Sequence, residues 1–236
     1  MNPTTLSHLL DLNRQFYQTF AIPFSATRQR LQPGVLHILE HISPNEDLLD
    51  LGCGNGELAR ELARCGHAGS YTGLDFSPAL LELASADQPP QFSFVHADLT
   101  SPDWDFPLAE NRYDVILLLA VLHHLPGNEL RLHILHKVRS LLSNGGRFIH
   151  SHWQFLNSPR LASRIQPWEA IGLSASEVDP GDYLLDWRQG GQGLRYVHHF
   201  SETELAELAG LAGFEVVESF LSDGENQRLG LYQVWQ

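Results

Sequence analysis

Asp50-Leu51-Gly52-Cys53-Gly54-Asn55-Gly56 is the stretch on which the fold of this chain turns. It closes a short apolar run, residues 47–51, and opens residues 55–64, where apolar positions recur at helical spacing. Glycines between a strand and a helix let the backbone bend sharply and let a ligand come close, where a Cβ would collide. The next strand, residues 71–75, ends in Asp75, placed to accept hydrogen bonds from ribose hydroxyls. A third strand, residues 92–97, leads into Asp98, which can accept from an exocyclic adenine amine. A lone aspartate usually caps a turn. Three at successive strand ends mark the ligand side of a parallel sheet.

The charge around the turn narrows the ligand. A dinucleotide sets its diphosphate on the positive end of the helix. Here Asp50 precedes the turn and Glu57 follows it, which suits a ligand carrying an ammonium and a sulfonium better than a diphosphate.

Outward from this core the strand-helix alternation continues. Residues 78–86 read as a helix with Ser77 as its N-cap, and 113–120 as an almost continuously apolar strand buried on both faces. Residues 129–142 read as a helix stopped by Asn144-Gly145-Gly146, and 147–153 as the next strand. Upstream, residues 6–20 form a helix ending before Pro23 and 32–41 a second one, together an N-terminal helical cap over 1–45. Residues 154–195, rich in Pro, Gly, Ser and Trp, break the rhythm as an ordered insertion or lid. Residues 201–212 then form a helix opened by a capping box, Ser201 with Glu204. Residues 214–221 and 229–235 are strands joined closely enough for a hairpin, so one of them is antiparallel. The fold class is therefore α/β: one doubly wound, mostly parallel domain over 1–236.

Bulk properties agree. The 236 residues are 43% hydrophobic, enough for one core, without an apolar run of membrane-spanning length. The first residues carry no basic segment followed by an apolar one, which argues against a secretory signal. Cys53 and Cys65 fall in one strand-turn-helix segment, which argues against a disulfide and for a reducing cytoplasm. The net charge of −13 excludes a protein basic all over. Lys137 is the only lysine, and the arginines that supply the other cations suit planar recognition of carboxylate or phosphate.

The ordered set LLDLGCGNG (48–56), YTGLDFS (71–77), FVHADL (94–99), YDVILLLAVLHHL (113–125) and LLSNGGRFI (141–149) resembles the class I S-adenosylmethionine-dependent methyltransferases. That resemblance implies a Rossmann-like, seven-stranded sheet with one reversed strand, and S-adenosyl-L-methionine as cofactor. Gly52, Gly54 and Gly56 are then expected around the methionine part, Asp75 on the ribose, Asp98 and Leu99 beside adenine, and Ala120 near the sulfonium. Asp50, Phe76, Tyr17 and Arg28 complete the expected cofactor set, Tyr17 lying across the pocket from its helix. Phe16-Tyr17-Gln18-Thr19-Phe20-Ala21, Phe24-Ser25-Ala26-Thr27-Arg28, Val121-Leu122-His123-His124 and the stretch Arg195-Tyr196-Val197-His198-His199-Phe200 are similar to the tRNA wobble-uridine carboxymethyl methyltransferases. This second likeness implies a tRNA acceptor, 5-carboxymethyluridine, and a small zinc-binding activator protein. The basic tails expected for gripping tRNA are missing.

If the acceptor is a carboxylate it needs a cation to orient it, Arg28 first and Arg195 second. If it is a hydroxyl or amine, His123 or His124 can remove a proton, one of the two lining the site and the other structural. Phe16, Phe20 and Phe24 read as packing residues, and Trp153, Trp168 and Trp187 either stack a base or pack the insertion. His150, His152, His198 and His199 lack the companions and spacing of a zinc site, so no metal is expected. A small-molecule O- or N-methyltransferase and a non-catalytic cofactor-binding partner subunit stay open beside the tRNA reading. No membrane partner is expected.

Overall fold

The computed structural model of the protein describes residues 1–27, 30–108 and 111–236, with the side chain of Phe24 also outside the description. After helices α1 (Pro3–Ala26) and α2 (Pro33–Leu39), strand and helix alternate: β1 (Leu48–Leu51), α3 (Glu57–Arg64), β2 (Tyr71–Asp75), α4 (Pro78–Ala84), β3 (Phe92–His96), β4 (Tyr113–Leu119), α5 (Asn128–Leu141) and β5 (Leu142–Trp153). Then come α6 (Pro159–Ala162), β6 (Ile165–Gln166), β7 (Asp182–Trp187), β8 (Gly193–His198), α7 (Glu202–Leu211), β9 (Val216–Ser222) and β10 (Gly230–Trp235). Among the described residues, seven strands form one sheet in the order β3-β2-β1-β4-β5-β10-β9. β10 runs antiparallel to both of its neighbours, so it is the reversed strand expected of the terminal hairpin.

Alternation along the central strands builds a core on each face. In β4, Val115 and Leu117 pack with Val35, Leu58 and Leu62 on one side, while Ile116 and Leu118 pack with Ile134, Leu135 and Val138 of α5 on the other. Every residue of β1 is buried, including Asp50, one residue before its end. Among the described residues, no helix is long and apolar enough to cross a membrane.

Four local expectations need correction. The helix expected to stop before Pro23 runs through to Ala26, with a kink at Phe20 (φ −109°, ψ 17°). The kink starts a new helical segment, so Pro23 falls within its first turn, where a missing N–H leaves no bond unmade. Asn144-Gly145-Gly146 does not follow a helix end by a free turn. β5 begins at Leu142, and the glycine pair sits where its pairing with β4 shifts register, with Gly145 at φ 78°. The segment 154–195 contains its own antiparallel sheet, β6-β7-β8, which the turn-rich composition concealed. The capping box at α7 is half formed. Ser201 accepts from the Glu204 N–H at 3.1 Å, but the Glu204 carboxylate turns instead to His198, 2.9 Å away.

α1 is stitched to β8. The Asn13 amide donates to the carbonyls of His124 (2.9 Å) and Tyr196 (3.1 Å), and its oxygen accepts from the Tyr196 N–H at 2.8 Å. This lays α1 over the carboxyl ends of the central strands.

Candidate active site

Beneath α1 lies a cavity of about 390 Å3, lined by the tips of β1, β2, β4 and β5 and by Arg195 of β8. Its first half is built on the glycine turn. One carboxylate, Asp75, accepts from the N–H groups of Gly54 and Ser77, both at 2.9 Å, and so ties the turn to the start of α4. The three glycines serve different ends. A Cβ at Gly52 would overlap Val121 at 2.4 Å and one at Gly56 would meet the Ala84 backbone at 2.7 Å, so both are dictated by packing. At Gly54 (φ 57°) a Cβ meets nothing within 4 Å, so the room for a ligand lies over this residue.

Asp50 is 4% exposed and accepts from the Tyr71 hydroxyl at 2.7 Å. Burial pushes its carboxyl up to about 7; the Tyr71 bond opposes the rise and the charge of Asp75 adds to it. Burial likewise raises Asp75, against the pull of the Ser77, Gly54 and Phe76 N–H groups. At Asp98 burial also pushes upward, but the Thr100 hydroxyl and N–H (2.7 and 2.9 Å) and Arg14 (3.2 Å) outweigh it, so the carboxyl lies below its usual range. Leu99 is buried next to it, and Phe76 lines the cavity. Ala120, just past β4, has φ 57°, rare for a residue with a Cβ. Its N–H donates to the carbonyl and the hydroxyl of Ser151, each at 3.1 Å, which hold that backbone in place.

The second half has the opposite character. The Tyr17 ring stands edge-on to Phe76, centroids 6.2 Å apart, and spans to His124. His124 Nδ1 donates to the Tyr196 carbonyl (3.3 Å), which leaves Nε2 to accept from the Tyr17 hydroxyl at 2.7 Å. Both histidines line the cavity; His124 is engaged on both ring nitrogens, while His123 Nδ1 is buried and unpartnered. Burial holds the His123 imidazole well below its ordinary range, so it is neutral. Arg195 is 5% exposed, and its guanidinium carbon sits 4.9 Å from the Trp153 ring and 5.5 Å from those of Phe16 and Trp187. Its Nε has no hydrogen-bond partner, and among the described residues no carboxylate pairs with it. Cation–π contact stabilises such a group only partly. A buried guanidinium with open donors is a seat for an anion.

Of the other expected residues, Arg28 lies outside the described residues, as does the side chain of Phe24. Phe16 and Phe20 pack with Trp187, and Trp168 packs on the Leu9–Tyr196 cluster. Only Trp153 of the three tryptophans lines the cavity. Among the described residues, no group of three or more His, Cys, Asp or Glu is arranged to hold a metal ion. Sequence reasoning missed Asn13, Arg14, Tyr71, Ser151 and, as a cavity residue, His152. Only Asn13 left a signal: it stands four residues after Leu9 and seven before Phe20, a polar residue in the apolar stripe of its helix.

The fold has known counterparts. A family model described as a methyltransferase domain matches residues 24–219. A provisionally named methyltransferase of Encephalitozoon cuniculi is 30% identical over 206 residues, covering 86% of this chain and 87% of its own. The tRNA (carboxymethyluridine(34)-5-O)-methyltransferase of Schizosaccharomyces pombe is 28% identical over 221 residues, covering 86% and 89%. Among solved structures, the chain of the DhpI-SAM-HEP complex superposes with a TM-score of 0.69 at 20% identity, covering 97% of this chain and 98% of that one. With a matching model that spans most of its length, from the end of the first helix into the terminal hairpin, this chain belongs to the methyltransferase domain family.

Proposed function

We propose that this methyltransferase uses S-adenosylmethionine to esterify a carboxylate, and that the carboxylate is the 5-carboxymethyl group of a wobble uridine in tRNA. The observation that carries the reading is Arg195: a buried guanidinium on the cavity wall with no carboxylate partner among the described residues. The similarity to the S. pombe enzyme over most of both chains supports the same acceptor class. The first half of the cavity fits the cofactor, with open room over Gly54 and buried carboxylates at the strand tips.

Bound adenosylmethionine supplies a methyl group already activated by its sulfonium. The protein's part is positioning. Asp75 holds the ribose, Asp98 and Leu99 flank the adenine, and Asp50 faces the ammonium. Arg195 orients the acceptor carboxylate and the rings around it exclude water. A carboxylate oxygen is already anionic and gives up no proton, so neither His123 nor His124 serves as a base.

The test is methyl transfer from labelled cofactor to total tRNA, with and without a small zinc-binding activator protein, followed by mild alkali. Label that enters tRNA and leaves as methanol is expected. A second reading, a small-molecule acceptor, draws on the net charge of −13. Absence of tRNA labelling even with the activator present decides for it. The cavity of about 390 Å3 speaks against a non-catalytic partner subunit, which would have its acceptor channel blocked.

A further inference from the structure

We infer that His152 presents a protonated Nδ1 to the acceptor, and that His150 behind it fixes this tautomer. The inference rests on the carboxylate reading for its ligand, but its geometry stands apart. His150 and His152 lie two residues apart on β5, their rings 4.8 Å apart, with His150 Nδ1 2.7 Å from His152 Nε2. His150 is completely enclosed, stacked on Phe148 at 4.9 Å and edge-on to Trp235 at 4.3 Å, and its Nε2 has no partner. His152 is 1% exposed and lines the cavity, and its Nδ1 is unpartnered too. Burial keeps both imidazoles neutral at neutral pH.

A neutral pair joined by one hydrogen bond has two arrangements. If His152 donates, His150 must carry its proton on Nε2, an N–H sealed among aromatic rings that no ligand can reach. His152 would then turn a bare lone pair toward the cavity, repelling an anion. If His150 donates, the sealed atom is a lone pair, and the remaining proton sits on His152 Nδ1, itself buried but on a ring that lines the cavity. Both arrangements leave one buried N–H and one buried lone pair without a protein partner, but only the second puts that N–H on the ring that lines the cavity, where a bound acceptor can satisfy it. The hydrogen bond on one ring nitrogen thereby sets the proton on the other. His123, whose ring centroid is 6.2 Å from that of His152, adds another unpartnered Nδ1, and Arg195 adds its free Nε. Three elements thus surround one end of the cavity with unsatisfied nitrogens, and His152 is the specificity-determining donor for a small planar anion.

Nuclear magnetic resonance of ring-15N histidine in the intact protein, loaded with S-adenosylhomocysteine, reads this directly. Wild type should show His152 protonated at Nδ1 and bare at Nε2, and the Nδ1–H should move on adding 5-carboxymethyluridine but not uridine. His152→Phe should raise the acceptor KM about tenfold with cofactor affinity unchanged, the loss of one hydrogen bond to a charged group. His152→Asn, which keeps a donor near the same place, should return KM to within about threefold of wild type. A bare Nδ1 overturns the inference, as does a protonated one that stays unmoved by carboxymethyluridine while that carboxyl is methylated. If Nδ1 is protonated yet wild type esterifies no carboxymethyl acceptor, the tautomer stands and the acceptor reading falls.

Discussion

The two halves of the cavity are built in opposite ways. The half over β1, β2 and β3 is acidic and local: Asp50, Asp75 and Asp98 each stand within two residues of a strand end in one uninterrupted stretch of chain. The half under α1, β5 and β8 is cationic and imidazole-rich, with Arg195, His123 and His152 drawn from distant segments. Its one carboxylate among the described residues, Asp223, is spent internally, accepting from the Gly34 N–H (2.9 Å) and the Tyr232 hydroxyl (2.7 Å). The sorting of charge matches a cationic cofactor on one side and an anionic acceptor on the other. Variants should therefore split cleanly between the two ligands.

The sharpest split is expected at Asp75. Asp75→Ala removes the proposed ribose contact and unties Gly54 from Ser77. Losing charged hydrogen bonds worth about 3 kcal/mol predicts roughly hundredfold weaker binding of adenosylmethionine by calorimetry. Affinity for the acceptor should hold. If both ligands weaken alike, the halves are not separate and Asp75 acts through the fold.

On the other side, Arg195→Lys keeps the charge but loses the planar fork and its contacts with Trp153, Phe16 and Trp187. The acceptor kcat/KM should fall about thirtyfold, some 2 kcal/mol, with cofactor affinity within error of wild type. An equal loss in cofactor binding would move Arg195 to the first half.

The same contrast governs what could be read from sequence. The acidic half was legible because its geometry is periodic: a strand tip, a turn and a helix recur, and each tip carries an aspartate within two residues of the strand's last residue. The mostly parallel sheet and its one reversed strand followed from the alternation and the terminal hairpin. The acceptor half was not legible, because no spacing encodes a contact between α1 and a strand 183 residues away, such as Asn13 with Tyr196. Arg195 and His123 were named, yet the insertion's sheet that delivers Arg195 was hidden under a turn-like composition. His152 was weighed only as a metal ligand, since nothing in its neighbours announces a paired imidazole.

The halves also titrate in opposite senses. Asp50 is raised to about 7 in the folded protein, so its stabilising proton is fully held below the ordinary carboxyl range and lost as pH rises through about 7. His123, His150 and His152 are held below the ordinary imidazole range, so their contribution is present above it and lost as pH falls. For the cofactor the Asp50 sign is what counts. A bound ammonium favours the ionised carboxylate, so affinity should weaken as pH drops below 7, by up to about tenfold per unit. Asp50→Asn should flatten that slope. A pH-independent wild type would separate Asp50 from the ammonium.

The smallest effect tests where the open room lies. Gly54→Ala adds a Cβ that meets no protein atom within 4 Å, at a residue held at φ 57°. The left-handed backbone alone should cost about 1 kcal/mol of stability, measured as a shift in the denaturant midpoint. Cofactor affinity is the independent readout. With a ligand lying over the turn, the new methyl meets it and affinity falls several-fold beyond the stability loss, whereas acceptor binding stays level. Unchanged cofactor affinity in a folded Gly54→Ala protein would mean that the space above the turn is solvent, and that the acidic half grips its ligand from the strand tips alone.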